Sequence, residues 1–288
     1  MDLDNFKESS NVEDRRSSRG GFGGGISMRS LFMLAPIIRM LLRTKFGWAI
    51  LAIGAFLYFS GINPLSMAGG SSGVSADDDK KATFIKKVLA TTEEVWSQIL
   101  PKYGMRYQKP KLVLYRGHTT SGCGFASAQM GPFYCPADQK VYLDLGFFDE
   151  LAKRHNSPGD FAQAYVLAHE IGHHIQNMQG TLQKVQQIQQ RFGNSPKSNA
   201  LQVRVELQAD CYSGVWAHHA QKRFRVLEPG DIEEALRAAS AIGDDTLQKQ
   251  SQGYVVPDSF THGSSRQRVE WFKRGFLTGD LRSCNTFK

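Results

Sequence analysis

The pattern of hydrophobic and polar positions divides the chain into a tail, an apolar segment and a folded domain. Residues 1–30 are polar and then rich in glycine, with too few apolar side chains to bury a core. We therefore predict a flexible, basic, glycine-rich tail over residues 1–45. An uncharged apolar segment follows at 46–67, then a short Ser/Gly-rich linker at 68–79. From about residue 80 onward, apolar positions recur at helix and strand periods, which is typical of a folded domain.

The apolar segment Phe46–Met67 is long enough to cross a bilayer, which takes about 20 apolar residues. Basic residues at 39–45 precede it and three aspartates at 77–79 follow it. Because positive charge stays on the cytoplasmic side, we predict a single-pass inner-membrane anchor with the N-terminus inside and the domain outside, in the periplasm. The stretch 31–42, broken by a proline and an arginine, is predicted to be interfacial. A cleaved signal peptide ending near 66–70 and a buried core helix remain alternatives.

Strands come early and helices come late in the domain at 80–288. Alternating and β-branched patterns predict strands at 111–116 and 140–145. Helical periods predict helices at 83–100, 147–154, 161–178, 181–192, 198–221, 231–242 and 264–277. Together with the absence of repeats, this order predicts an α+β domain with a small antiparallel sheet.

Composition and charge exclude one class of partner. The chain is 41% hydrophobic and 22% charged, as in ordinary folded proteins. Its formal net charge of +8 is not concentrated in a stripe or an arginine-rich arm. A nucleic-acid partner is therefore not expected, and the expected partners are the membrane, through one N-terminal helix, and a peptide or protein substrate.

The four cysteines form an even set, which suits two disulfides if the domain lies outside the cytoplasm. Cys123 and Cys135 flank a short stretch rich in glycine and proline, so a local bridge between them is plausible. Cys211 and Cys284 would then form the remaining pair. Four buried free thiols are the alternative.

The segment VLAHEIGHHIQ at 166–176 combines two histidines and a glutamate on a predicted helix. His169 and His173 are four residues apart, so they share one helix face and can reach one tetrahedral Zn²⁺. Glu170 lies beside them and can take a proton from a water molecule and return it to a leaving amine. Apolar neighbours predict that the helix is buried, where histidines and carboxylates need partners. Gly172 disfavours a helix, which predicts the close approach of another backbone.

A catalytic zinc site needs a third protein ligand, and ELQAD at 206–210 offers one. Glu206 and Asp210 are four apart on another predicted helix and share a face. We predict that Glu206 is the third ligand and that Asp210 accepts the free N–H of a ligating histidine. The alternative is a pair of ordinary surface acids, which the apolar residues around them disfavour.

HEIGH at 169–173 followed by ELQAD at 206–210 resembles the gluzincin class of metallopeptidases. More closely, VLAHEIGHHIQ and ELQADCYSGVWA resemble the bacterial family named putative neutral zinc metallopeptidase, as do GPFYCPADQKVYLDLGFF (131–148) and THGSSRQRVEWFKRGF (261–276). The likeness covers about residues 80–288. It implies a mostly helical zincin-like fold and a zinc-dependent, membrane-attached peptidase with two histidines and one glutamate on a single Zn²⁺.

Two further features have a functional and an ordinary interpretation. His262 precedes a predicted helix; gluzincins often use a distal histidine or tyrosine to stabilise the developing oxyanion, so His262 is a candidate catalytic residue. A capping or surface role is the alternative. The strand at 140–145 is either an edge strand that pairs with an extended substrate or an ordinary strand of the sheet.

The most concrete function from the sequence is a membrane-anchored peptidase that hydrolyses peptide bonds through a metal-activated water. The competing class is a non-catalytic, membrane-tethered adaptor that keeps a structural zinc site. Structural zinc sites usually have four protein ligands and are rich in cysteine, which disfavours the adaptor. Hydrolysis of a non-peptide amide or ester by the same residues is a third option.

Overall fold

The computed structural model describes residues 1–17, 74–155 and 159–288. Met1–Arg15 and Ser75–Lys288 form one compact unit, and the second unit, Arg16–Val74, lies almost wholly outside the described residues. The predicted anchor at 46–67 therefore also lies outside them. Among the described helices, none combines the length and the hydropathy needed to cross a membrane.

Helices make up most of the unit. In chain order they are α1 (Ala76–Ile99), α2 (Gly146–His155), α3 (Asp160–Met178), α4 (Thr181–Phe192), α5 (Pro196–Phe224), α6 (Asp231–Ala241), α7 (Asp244–Gln252) and α8 (Ser265–Thr278). Helix α1 begins earlier than predicted, because Ser75 forms a capping box with Asp78. Residues 76–79 are thus helix and not linker. Helix α7 was not predicted, since its sequence is polar and lacks a hydrophobic stripe.

The unit also contains a four-stranded sheet and a hairpin. The strands are β1 (Val12–Asp14), β2 (Lys111–Tyr115), β3 (His118–Ser121), β4 (Gly124–Ser127), β5 (Phe133–Cys135) and β6 (Lys140–Asp144). The sheet order is β1-β2-β6-β5, and β3 pairs with β4 separately. The α+β class is confirmed, but the prediction of an antiparallel sheet is wrong. Strands β1, β2 and β6 run parallel, and within this sheet only β5 is antiparallel: after β2 the chain re-enters the sheet as β5 and then reverses into β6, which restores the direction of β2.

The first fifteen residues belong to the folded unit, so the predicted flexible tail is wrong for them. Val12 pairs with Leu112 at the edge of the sheet, and the side chain of Leu3 lies in the main core with 4% of its surface exposed. Hydrogen bonds from Lys140 and Arg15 lower the pKa of the Glu13 carboxylate of β1 to about 2. These contacts are tertiary and involve few residues, so the polar composition of the tail conceals them.

Close packing of three helices sets the centre of the unit. Gly214 of α5 and Gly275 of α8 lie at a crossing where a Cβ atom on Gly275 would fall 1.9 Å from the carbonyl oxygen of Cys211. On the other side of α5, a Cβ atom on Gly172 of α3 would fall 3.0 Å from the carbonyl oxygen of Ala209. The predicted close approach at Gly172 is therefore present. Glycine at these positions lets α3, α5 and α8 approach backbone to backbone.

Candidate metal centre

The crossing of α3 and α5 brings His169, His173 and Glu206 to one point. His169 Nε2 lies 3.1 Å from Glu206 Oε2, and His173 Nε2 lies 3.4 Å from the same oxygen. The two imidazole rings are perpendicular, with centroids 4.8 Å apart. Two turns of one helix and one turn of another thus present three donor atoms within 4.8 Å of one another.

The three donors fit a zinc ion. Ligands bound 2.0–2.1 Å from a tetrahedral ion are separated from one another by about 3.3 Å, which is close to the two measured separations. His169 and Glu206 are buried and His173 is nearly so, so the ligand atoms are shielded from competing water. Imidazole nitrogen and carboxylate oxygen are both donors that zinc accepts. A set of three ligands leaves the fourth position of the ion open, as in catalytic sites.

The carboxylates and imidazoles of the cluster shift one another's pKa values. Burial raises the pKa of Glu206, but the neighbouring His173 and His169 outweigh it and hold the carboxyl well below its usual range. Burial lowers the pKa of His169, but Asp210 and Glu206 raise it to about 10. The carboxylate ligand is therefore ionised at neutral pH, and protons compete with a metal ion for the His169 nitrogen.

Asp210 supports the centre from one turn further along α5. Its Oδ1 lies 2.8 Å from His169 Nδ1, on the side of the ring opposite the cluster. The carboxylate is fully buried, and its Oδ1 also accepts a hydrogen bond from the Tyr165 hydroxyl at 2.5 Å. Burial raises the pKa of Asp210, but Arg268 and His169 outweigh it and lower the pKa to about 2. An ionised Asp210 accepts a hydrogen bond from Nδ1–H of His169, and this tautomer leaves Nε2 free to bind a metal.

A cavity of about 870 Å³ opens over the cluster. Glu170 lines it beside the two histidines and has 7% of its surface exposed. The opposite walls come from the loop after β4, from Tyr134 of β5, and from α4. The cavity therefore joins a carboxylate, the predicted ligands and a mostly apolar wall in one space that is open to solvent.

His262 also lines this cavity, in the loop before α8. Its Nδ1 lies 3.2 Å from Asp244 Oδ1, and 52% of its side chain is exposed. The other oxygen of Asp244 accepts the backbone N–H groups of Thr261, His262 and Gly263 at 2.7, 2.6 and 3.0 Å. Asp244, the first residue of α7, thus holds the loop and orients the histidine ring.

The edge strand beside the cavity differs from the one considered in the sequence. Strand β6 lies inside the sheet, between β2 and β5, so residues 140–144 cannot pair with a substrate as an edge strand. Strand β5 is the edge, and Phe133 and Tyr134 line the cavity. No sequence pattern predicted this edge strand, because β5 is only three residues long and contains no alternating run.

Both cysteine pairs are bridged. Cys123–Cys135 ties the turn of the β3–β4 hairpin to edge strand β5, which places the bridge at the wall of the cavity. Cys211–Cys284 ties α5, at the residue after Asp210, to the segment Leu281–Cys284 that follows α8. One bridge therefore lies at the wall of the cavity, and the other lies next to Asp210 in the chain.

Arg268 and Tyr165 are the residues of the centre that the sequence reasoning missed. Both are buried against Asp210. A signal for Arg268 was present: it lies four and seven residues before Phe272 and Gly275, the other buried positions of α8. An arginine on the buried stripe of a helix indicates a buried acidic partner.

Comparison with known proteins agrees with this geometry. The model of the family described as putative neutral zinc metallopeptidase matches residues 1–287. The protein YpfJ of Escherichia coli K12, described as uncharacterized, is 50% identical over 282 residues, which cover 98% of this chain and 96% of YpfJ. Protein Mb2605 of Mycobacterium bovis, also described as uncharacterized, is 45% identical over 214 residues, 70% of each chain. A search of the solved structures found no match. The chain belongs to the family described as putative neutral zinc metallopeptidase.

Proposed function

We propose that the protein is a zinc-dependent peptidase that hydrolyses peptide bonds in the cavity above His169, His173 and Glu206. The observation that carries the proposal is the meeting of these three donors beside the carboxylate of Glu170 in an open cavity. The three residues would hold the ion. A bound zinc ion would polarise the scissile carbonyl group and lower the pKa of a water molecule at its open position.

The chain's own residues supply the proton transfers. Glu170 accepts a proton from the attacking water and later donates it to the departing amine nitrogen. His262, held through Nδ1 by Asp244, directs its Nε2 side away from that carboxylate and can donate a hydrogen bond to the oxygen that becomes negative. Asp210 keeps His169 in the tautomer that a metal requires. Edge strand β5 offers backbone groups to an extended substrate.

The decisive variant is Glu170→Gln in the full-length chain, with Glu150→Gln as the matched control, because Glu150 lines the same cavity. Zinc content is measured by elemental analysis, and hydrolysis is measured on a mixed peptide library read by mass spectrometry. We expect Glu170→Gln to retain zinc and to lose at least 100-fold in cleavage rate, while Glu150→Gln keeps most of it. Zinc-loaded wild type that cleaves no peptide would favour the adaptor, and cleavage of esters or non-peptide amides alone would identify the third option.

We also propose that the folded unit works outside the cytoplasm. Its two disulfides, Cys123–Cys135 and Cys211–Cys284, favour an oxidising compartment, because cytosolic proteins keep their thiols reduced. The membrane anchor at 46–67 remains a proposal from the sequence alone. The substrate of the folded unit would be a peptide or protein outside the cytoplasm.

We propose an orientation of the chain that differs from the one expected from the sequence. Strand β1 pairs with β2 in one compact unit, which supports an arrangement with residues 1–15 and residues 75–288 on the same side of a membrane. A single crossing between them would separate the two strands, which favours an N-terminus on the same side as the domain over a cytoplasmic N-terminus with an external domain.

Single cysteines at exposed positions test this. Ser10→Cys reports the first segment and Lys222→Cys reports the domain, both in cells with an intact cytoplasmic membrane. A membrane-impermeant maleimide should label both variants at similar rates. Labelling of Lys222→Cys alone, with Ser10→Cys reacting only after lysis, would mean that the chain crosses once and that β1 does not pair with β2 in the cell.

A further inference from the structure

Arg268 is a buried cation that the proposed reaction does not use. It lies on the first turn of α8, with 2% of its surface exposed, among the largest fully buried side chains in the described residues. A guanidinium group removed from water is strongly destabilising unless it is paired with an anion and its N–H groups are bonded. The partners of Arg268 therefore indicate why it is there.

Those partners converge on Asp210. Arg268 Nε lies 2.8 Å from Asp210 Oδ2, and Nη2 lies 2.9 Å from Oδ1, which is the bidentate geometry of a planar fork on a carboxylate. The remaining nitrogen, Nη1, donates to the carbonyl oxygen of Ile242 at 3.3 Å. The fork fixes both the position and the plane of the carboxylate group.

Asp210 transmits that constraint to the metal centre. Its Oδ1 accepts hydrogen bonds from Arg268, from Tyr165 and from Nδ1 of His169, so the imidazole ring is held relative to the guanidinium plane. The opposite nitrogen of the ring, Nε2, lies 3.1 Å from Glu206 Oε2. Rotation of the carboxylate would turn Nε2 away from the other two ligands.

The fold keeps Arg268 at this place. Helix α8 crosses α5 at Gly214 and Gly275, where a Cβ atom would overlap the backbone of the facing helix. The Cys211–Cys284 bridge attaches the end of the chain to α5 one residue after Asp210. The arginine therefore approaches the carboxylate from a helix that is itself firmly docked.

We propose that Arg268 is a positioning residue of the metal centre: by gripping Asp210 with its fork, it holds His169 in the orientation that points Nε2 at His173 and Glu206. The inference rests on the proposed function in that the centre binds zinc. A positive charge at residue 268 is not sufficient to position the centre, because the planar fork of the guanidinium group sets the orientation of the Asp210 carboxylate. Lysine, which has the same charge but a single nitrogen, cannot replace it.

The test compares Arg268→Lys with Arg266→Lys, two residues earlier on the same helix. Arg266 is 87% exposed and pairs only with the exposed Glu270 in the contacts described, so it controls for the arginine-to-lysine change. Zinc affinity is measured by competition with a chromogenic chelator, and the ligand field by the visible spectrum of the cobalt-substituted protein. We expect Arg268→Lys to bind zinc about 10- to 100-fold more weakly, with an altered cobalt spectrum, and Arg266→Lys to match the wild type.

A double-mutant cycle separates positioning from general stability. In an Asp210→Asn background the carboxylate that transmits the effect is gone, so Arg268→Lys should change zinc affinity less than twofold there. The same fold-change in both backgrounds, or an unaltered zinc affinity and cobalt spectrum in Arg268→Lys, would overturn the proposal. If Arg268→Lys does not fold, Arg268→Gln decides: it removes the two-point fork on Asp210 and should weaken zinc binding severalfold, and unchanged binding refutes the proposal.

Failure of the proposed function gives a different result. A wild type that binds zinc tightly and responds to Arg268→Lys in this way, yet hydrolyses no peptide, would leave the positioning role intact and end the peptidase proposal.

Discussion

Leu3→Ala is a substitution near the N-terminus that should destabilise the whole unit. Leu3 lies in the main core with 4% of its surface exposed, and the neighbouring Phe6 packs edge-to-face on Phe224 of α5 with ring centroids 5.0 Å apart. A flexible tail would tolerate the change within about 0.5 kcal/mol, as surface positions usually do. A docked N-terminal segment and a flexible tail therefore predict different free energies of unfolding for Leu3→Ala.

The expected magnitude follows from burial and from the way the segment is attached. Leucine-to-alanine changes in cores cost about 2–5 kcal/mol. If the first fifteen residues undock before the rest of the unit unfolds, the measured loss cannot exceed the free energy with which they dock. We expect a loss of about 2–3 kcal/mol. Strand β1 contributes only three paired residues to that docking, so the lower half of the range is the appropriate one.

Urea unfolding of the full-length protein in detergent measures this effect. Trp96 and Trp216 are both fully buried, and their fluorescence reports the unfolding of the helical core. Lys7→Ala, an exposed position in the same segment, is the matched control and should unfold like the wild type. A Leu3→Ala protein whose unfolding free energy stays within about 0.5 kcal/mol of the wild type would show that residues 1–15 are not docked in solution.

Two further outcomes are expected. Gly275→Ala at the α5–α8 crossing should lower the free energy of unfolding by about 1–3 kcal/mol, because the new Cβ atom would fall 1.9 Å from the Cys211 carbonyl oxygen. Leu277→Ala, at a position 76% exposed on the same helix, is the control. Equal stabilities of the two variants in urea would contradict the close packing at Gly275. The free energy of unfolding of the metal-free protein should decrease as the pH falls from 3.8 to about 2, because the pKa of Asp210 is lower in the folded than in the unfolded chain. Asp210 contributes about 2 kcal/mol, and this contribution is fully present above pH 3.8. The decrease should be missing from the pH profile of Asp210→Asn.

The placement of the candidate ligand residues was predictable because helix geometry converts residue spacing into side-chain direction. Four-residue separations place His169 above His173, and Glu206 above Asp210, whatever the rest of the fold does. Their meeting in space was a weaker inference, since it depended on the idea that buried imidazoles and carboxylates need one another. The structure brings the two helices together at Gly172 and Ala209, a contact for which the glycine was the sole sequence signal.

The parts that the sequence did not predict depend on tertiary contacts. Strand β1 has three residues, and β5 has three, so neither produces a periodic pattern. Strand β1 pairs with β2, which lies about 100 residues further along the chain, whereas β5 pairs with β6, which follows it after a short turn. Strand direction is likewise set by the path of the connecting chain, and a local pattern does not contain it.

The C-terminal helix links the stability of the fold to the chemistry of the centre. Helix α8 docks on α5 through glycine, is followed by the Cys211–Cys284 bridge, and places Arg268 on Asp210. Each of these contacts lies within about one turn of the residue that orients His169. A change that loosens α8 should therefore weaken metal binding before it unfolds the domain, because ligand geometry tolerates smaller displacements than core burial does. Zinc affinity is accordingly the more sensitive measure of packing at this crossing.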